Sequence, residues 1–242
     1  MNRHAVDRLV LIASLPGDDA SVSAAVQAFP DRFIGYAMIN PLLPDALLRA
    51  TTALEKGGIR GLCLFPAMHG YFVHDPHVAP ILDLARKHSA IIFVHCGILS
   101  VGVRAKLGLS SPFDMRYSNP IDLHPVALRY PDLRFVIPHF GAGYFREALM
   151  LAGLCENVYL DTSSSNQWIR YQEAALALRD VFERALGAAG PRRLLFGTDS
   201  SFFPRGWHKS IFDEQAAALR ELGVSDADAR AIFSENLCRL VG

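Results

Sequence analysis

The sequence predicts an α/β protein built on a parallel sheet of the TIM-barrel type, and three observations carry that prediction. Short apolar runs of strand length alternate with helix-length amphipathic stretches from one end of the chain to the other. No hairpin signal separates any two of the runs, so consecutive strands must be joined by helical crossovers and lie parallel. Three of the runs end in a side chain able to bind a metal: Ile91-Ile-Phe-Val-His95, Leu133-Arg-Phe-Val-Ile-Pro-His139 and Leu194-Leu-Phe-Gly-Thr-Asp199. In parallel α/β folds the chemistry gathers at the C-terminal ends of the strands.

The elements follow in order. Leu9–Ser14 reads as the first strand, because the flanking Asp7-Arg8 and Pro16-Gly17-Asp18 do not suit a signal peptide. A helix over Asp18–Phe29 leads to a strand over Phe33–Asn40, which Pro41 stops. The next helix, about Asp45–Lys56, is expected to turn Leu47, Leu48 and Leu54 inward and to end at Gly57-Gly58. Ile59–Phe65 is the third strand. His77–His88 is an amphipathic helix with Val78, Ile81, Leu82 and Ala85 on its apolar face. Ile91–His95 is the fourth strand, followed by a long irregular segment, Gly97–Ser118, whose length suits a lid or substrate loop. After a helix opened by Pro120 come the fifth strand, Arg134–His139, a helix beyond Gly143, and the sixth strand, Val158–Asp161. A polar loop then leads to a long helix, about Trp168–Leu186, and to the seventh strand, Leu194–Asp199. The tail is helical: Ile211–Leu222, a helix capped by Ser225 with Asp228 three residues on, and Glu235–Leu240. No linker, low-complexity tract or solenoid repeat interrupts this, so one domain spans 1–242. Seven strands are one short of a closed (β/α)8 barrel, so either the sheet is open or one βα unit is absent from the N-terminus.

Composition narrows the function. Lys plus Arg and Asp plus Glu both number 24, so no net field draws the chain to nucleic acid or to an anionic membrane. The apolar runs are too short to span a bilayer. Cys63, Cys96, Cys155 and Cys238 are far apart, which suggests neither a disulfide framework nor a zinc knuckle and points to a reducing, cytoplasmic setting. A small-molecule substrate is expected, and a homo-oligomer is possible.

His95, His139 and Asp199 supply two neutral nitrogens and an anionic oxygen, a donor set for zinc first and for manganese or iron as alternatives. One divalent ion there would lower the pKa of bound water and make hydroxide available. His139 and Asp199 are the candidate catalytic residues, Asp199 as proton acceptor. His69, in the loop after the third strand, is a candidate substrate contact. Arg104, Arg116 and Arg170 are candidates for a substrate carboxylate, although surface arginines are common. Gly141-Ala-Gly143 puts a helix N-terminus beside His139, an anion position or simply a turn. Trp168 and Phe202 line the pocket or pack beneath it.

The residues that carry these roles resemble the amidohydrolase superfamily, in the branch that includes aminocarboxymuconate-semialdehyde and resorcylate-type decarboxylases. The resemblance covers nearly the whole chain. It is strongest in Phe93-Val-His95, in Asn119-Pro120 through Pro138-His139-Phe-Gly, in Asn157-Val-Tyr-Leu-Asp-Thr-Ser163 and in Phe196-Gly-Thr-Asp199. It implies a (β/α)8 barrel of which seven strands are recognisable here, with His95, His139 and Asp199 at the ends of the family's fifth, sixth and eighth strands. It also implies a first-strand His-x-His pair, which this sequence lacks, so a missing first βα unit and a site two ligands short are expected. No lysine ends the strand Ile59–Phe65, which favours one metal over two. The resemblance implies a metal-dependent hydrolase acting on a small carboxylate-bearing or cyclic substrate. The alternatives are a metal-dependent decarboxylase of the same branch and a truncated, non-catalytic barrel.

Overall fold

Seven parallel strands lie side by side in chain order in the computed structural model, which describes residues 1–13, 17–100, 107–164, 166–201 and 206–242. They are β1 (Leu9–Ile12), β2 (Phe33–Met38), β3 (Ile59–Leu64), β4 (Ile91–Val94), β5 (Phe135–Ile137), β6 (Val158–Asp161) and β7 (Leu194–Leu195). Each neighbouring pair is joined in parallel register, so the fold is a TIM-barrel-like α/β sheet with seven of the eight strands, β1 and β7 at its edges. The central strands are buried on both faces, which is why they read as near-continuous apolar runs.

Alternation along each strand separates two cores. Ile34, Tyr36 and Met38, Cys63 and Phe65, Ile91 and Phe93, Val136 and Leu195 form the inner cluster. Ala37 and Ile39, Leu62 and Leu64, Ile92 and Val94, Phe135 and Ile137, Val158 and Leu160 face the helices. Small side chains make room for large ones inside: a Cβ on Gly61 would lie 2.7 Å from the Tyr36 ring.

Among the described residues the α-helices are α1 (Asp19–Ala28), α2 (Ala46–Lys56), α3 (Pro66–His69), α4 (Ala79–Lys87), α5 (His124–Arg129), α6 (Phe145–Leu154), α7 (Leu178–Ala189), α8 (Lys209–Glu221), α9 (Asp226–Arg230) and α10 (Asn236–Val241). On α4 the expected apolar residues Ile81, Leu82 and Ala85 are buried, and Val78 just before it is too. On α2 the expectation fails. Ala46, Ala50 and Ala53 face the sheet, while Leu47 and Leu48 are 46% and 69% exposed. The small stripe lets the helix approach closely, and the ion pair from Arg49 to Asp19 at 2.5 Å fixes its rotation. Leu54 is half-buried against the core.

The long helix expected over Trp168–Leu186 is two pieces, a 3-10 turn at Gln167–Tyr171 and α7, which begins at Leu178. Propensity there is overruled by anchors. Trp168 is buried and donates to Asn166 Oδ1 at 3.1 Å, Gln172 Nε2 donates to Gly143 O at 3.0 Å, and Ala177 N donates to Asp180 Oδ2 at 2.9 Å.

At the C-terminus the Ser225 cap forms as expected, with Asp228 N donating to Ser225 Oγ at 3.1 Å. The expected separate last helix is instead continuous with α9 through a π turn, Ala231–Glu235. Its widened ring leaves the carbonyl of Ile232 to accept from Phe196 N at 3.1 Å. Buried Asn236 donates to Leu194 O and Pro191 O, each at 2.8 Å. The last helical segment thus covers the outer edge of β7. No described helix is long and apolar enough to cross a membrane, and all four cysteines are free.

Candidate metal and active site

His95 follows Ile91 and Phe93 in strand phase, so its side chain enters the barrel rather than the helix layer. Its backbone N–H donates to Leu64 O at 2.9 Å, and its ring stacks on Phe65 with centroids 5.4 Å apart. Burial, reinforced by nearby His139, pushes the imidazole down to about 3, so it is neutral and its lone pair is available at ordinary pH. Its Nδ1 is buried with no hydrogen-bond partner among the described residues.

His139 reaches the same place by another route. β5 ends at Ile137, and Pro138–Gly141 form a 3-10 turn in which His139 and Phe140 take left-handed backbone angles, φ 57° and 52°. Such angles are unfavourable for side-chain-bearing residues and persist only where packing imposes them. Phe140 supplies that packing, fully buried against Phe145, Phe182 and Trp168. The turn also lies against the loop after β4, for Ile98 N donates to Ala142 O at 2.8 Å. The His95 and His139 rings meet edge to face with centroids 5.3 Å apart.

Behind His139 stands the end of β6. His139 Nδ1 lies 2.8 Å from Ser163 Oγ and 3.3 Å from Ser163 O. Ser163 Oγ donates to Asp161 Oδ1, which also accepts from Ser163 N at 2.8 Å. Crowding by protein raises the Asp161 carboxyl above its ordinary value, opposed by His139 and by the Ser163 hydrogen bonds. Gly197 permits the close approach of the next loop, since a Cβ there would lie 2.6 Å from Ser163 Cβ and 2.9 Å from Asp161 Oδ2. Gln215 of α8, wholly buried, locks the two loops together. It accepts from Thr162 Oγ1 at 2.7 Å and donates to Thr162 O at 2.8 Å and to Gly197 O at 3.2 Å.

The structure brings His95 and His139 together, while the Asp199 side chain is exposed. The seventh strand was expected to run to Asp199 but pairs only through Leu195, and Asp199 has φ 50° and an exposed side chain. Strand phase would have turned it inward; the turn beyond Gly197 breaks that phase. Among the described residues no three His, Cys, Asp or Glu side chains come together closely enough to hold a metal ion.

Arg116 is exposed, paired with Asp114 at 2.5 Å, and Arg170 is exposed, lying over the Tyr171 ring at 4.7 Å. His69, at the end of α3, is half-buried; burial lowers its pKa, and it stacks on Tyr71 with centroids 6.4 Å apart. It lines a cavity of about 220 Å³ with Met38, Asn40, Leu43, Arg49 and Met68. Trp168 packs beneath the His139 turn. The Gly141–Gly143 stretch is a run of left-handed turn residues, and α6 starts only at Phe145. Arg104 and Phe202 lie outside the described residues. Sequence reasoning missed Asp161, Ser163 and Gln215; the visible signal was the alternation Tyr159, Asp161 at the end of a strand.

A divalent cation fits the imidazole pair. The neutral state of His95 and its unpartnered nitrogen suit that role. The two rings would be part of a ligand set.

The pattern that defines the amidohydrolase family matches residues 2–242. An 87-residue stretch is 36% identical to the fluG protein of Emericella nidulans, covering 36% of this chain and 10% of that protein. Among solved structures, an uncharacterized TIM-barrel protein from Bordetella bronchiseptica superposes with a TM-score of 0.72 at 21% identity, over 97% of this chain and 77% of that one. 5-Carboxyvanillate decarboxylase from Sphingomonas paucimobilis gives 0.68 at 14% identity, over 100% and 80%. A dihydroxybenzoic acid decarboxylase from Polaromonas sp. JS666, with bound manganese and the inhibitor 2-nitroresorcinol, gives 0.66 at 16% identity, over 100% and 83%.

Proposed function

We propose, from the premise that this chain belongs to the amidohydrolase family, that it is a metal-dependent decarboxylase of small carboxylate-bearing, cyclic substrates. The observation that carries the reading is the pair of facing imidazoles at the C-terminal ends of β4 and β5, one of them held neutral by burial. The shared fold with two decarboxylases supports the choice of reaction, and manganese in one of them supports a divalent ion. Zinc and iron suit the same donors.

In this reading His95 and His139 would hold the ion, with Asp199 the candidate third ligand. The ion supplies a Lewis acid that grips the substrate's oxygens. The chain does the rest. Phe65, Phe93 and Met38 wall the site and exclude water. His69, in its cavity beside Met38 and Met68, contacts the substrate. When the carbon–carboxylate bond breaks, carbon dioxide leaves and the electron pair stays on the ring carbon. A proton from water, relayed through the Asp199 carboxylate, completes the exchange at that carbon. Arg116 and Arg170 are a weaker part of the proposal, since both already have partners on the surface.

A hydrolytic version, in which activated water attacks a lactone or amide and Asp199 takes its proton, is the second reading. One solved relative by fold is a probable 2-pyrone-4,6-dicarboxylic acid hydrolase, which favours keeping it. The test is metal analysis of the purified chain after exposure to zinc or manganese, followed by assays for carbon dioxide release from aromatic carboxylates and for lactone hydrolysis. The expected result is metal uptake with carbon dioxide release, and loss of both in His95→Ala. A chain that takes up no ion and turns over neither class would leave a non-catalytic barrel as the reading.

A further inference from the structure

We propose that Ser163 and Asp161 are positioning residues that fix the His139 imidazole in one tautomer, with hydrogen on Nδ1 and the lone pair of Nε2 facing the site. The inference deepens the metal-site reading but stands on contacts of the chain alone.

The chain of contacts is His139 Nδ1 to Ser163 Oγ at 2.8 Å, then Ser163 Oγ to Asp161 Oδ1. Read by itself, such a chain could run in either direction, because a hydroxyl both donates and accepts. Two further contacts decide it. His139 Nδ1 also lies 3.3 Å from the backbone carbonyl of Ser163, and a carbonyl only accepts, so Nδ1 must carry the hydrogen. Asp161 Oδ1 receives the Ser163 backbone N–H at 2.8 Å as well as the hydroxyl, so that oxygen is an acceptor twice over. The polarity is therefore Nδ1–H to Ser163 Oγ, and Ser163 O–H to the Asp161 carboxylate. With Nδ1 committed, the only lone pair left on the ring is at Nε2. A neutral histidine held this way is a defined donor rather than a mixture of two forms.

The surroundings make the device rigid. His139 sits at φ 57°, so the ring is delivered by an unfavourable backbone angle that needs a contact to retain it. Asp161 enters the barrel by strand phase at the end of β6, and Ser163 is buried beyond it. Gln215 and Gly197 close the loop from behind. Removal of the serine hydroxyl should therefore leave the fold in place while releasing the ring.

The experiment reads the tautomer directly in the metal-free protein, using ring nitrogen chemical shifts of labelled histidine at neutral pH. The His139 signals are assigned by their disappearance in His139→Gln. Wild type should show Nδ1 protonated and Nε2 bare; Ser163→Ala, which loses the 2.8 Å hydroxyl contact and keeps only the longer one to the backbone carbonyl, should show a partial shift of hydrogen to Nε2, and Ser163→Thr, which keeps a hydroxyl, should restore the wild-type pattern. In parallel, zinc affinity should fall by about 10–100-fold in Ser163→Ala and recover in Ser163→Thr. A wild-type spectrum with hydrogen on Nε2 would overturn the proposal without any variant needing to fold. A Ser163→Ala protein with the unchanged tautomer would overturn it equally. If the tautomer behaves as stated but zinc does not bind, the positioning role stands and the metal reading fails.

Discussion

His95 carries a cost that acid should expose. Its pKa of about 3 in the folded chain lies below the 6.5 of a free imidazole, so between those values the unfolded chain binds more protons than the folded one. Stability from this residue is fully present above pH 6.5 and is lost as pH falls toward 3. Each unit of displacement corresponds to about 1.4 kcal/mol, so the loss should be on the order of a few kcal/mol. Asp161 works in the opposite sense, because its raised pKa favours the folded state as acid is added. His95 must therefore be isolated by comparison. Urea midpoints measured from pH 7.5 to 4 should fall more steeply for wild type than for His95→Asn, and parallel curves would show that His95 is not desolvated. Gly97 makes a second prediction at this scale. A Cβ there would lie 2.2 Å from Gly141 O and 2.3 Å from Ala142 O, on a backbone at φ +75°. Gly97→Ala should cost about 3–5 kcal/mol in urea unfolding. Gly108→Ala, at φ +68° with nothing within 4 Å, is the control for backbone angle alone and should cost about 1 kcal/mol. Equal losses would mean that the packing of the β4 and β5 loops does not matter.

At the scale of elements, the strands were legible where burial is periodic. His95 could be placed because the alternation Ile91, Phe93, His95 continues unbroken to the end of β4. The seventh strand ends sooner than the same alternation along Leu195, Gly197, Asp199 suggests, since pairing stops at Leu195 and Gly197 packs on Ser163. His139 was found by its place after an apolar run, but its left-handed angle is set by Phe140 and its aromatic neighbours, which no local pattern displays. The leucines of α2 misled for a related reason. Apolar periodicity marks the larger residues, whereas close packing on this sheet selected the alanines. Gln215 was invisible because it sits on a helix face far along the chain from Thr162 and Gly197. Its role makes the prediction for this scale. Gln215→Leu would leave the Thr162 and Gly197 carbonyls without their Gln215 donor and the Thr162 hydroxyl without its acceptor in a dry site, at a cost of about 2–4 kcal/mol. Thermal unfolding should show that loss, and Gln215→Glu, which keeps the acceptor for Thr162 Oγ1 but sets a carboxyl oxygen against the Thr162 and Gly197 carbonyls, should lose at least as much. A neutral Gln215→Leu would mean that water or a shifted side chain takes over its bonds.

For the whole molecule, the sheet is unequal from edge to edge, and that inequality should be measurable. β3 and β4 are flanked on both sides by strands and buried in both cores, whereas every residue of β1 is only half-buried. β7 is an edge too, but the last helical segment covers it through Phe196 N to Ile232 O and Asn236 Nδ2 to Leu194 O. β1 is held through β2, in part by Arg32, whose Nε donates to Asp7 O at 2.7 Å and whose Nη2 donates to Val6 O at 3.0 Å. Local opening follows such differences, since it costs least where few buried contacts must be broken. Amide exchange should therefore be fastest for Leu9–Ile12, intermediate for Leu194–Leu195, and slowest for Ile59–Leu64 and Ile91–Val94. Asn236→Ala should speed exchange at β7 and leave β3 unchanged, because it removes the cover of one edge only. An open strand edge is also a surface on which another strand can pair. Repeating the measurement over a hundredfold range of protein concentration separates the two cases. Exchange at β1 that slows with concentration would show association through that edge, while exchange that is fast and constant would show an edge solvated in the monomer. Protection at β1 equal to that at β3 in dilute solution would contradict the gradient itself.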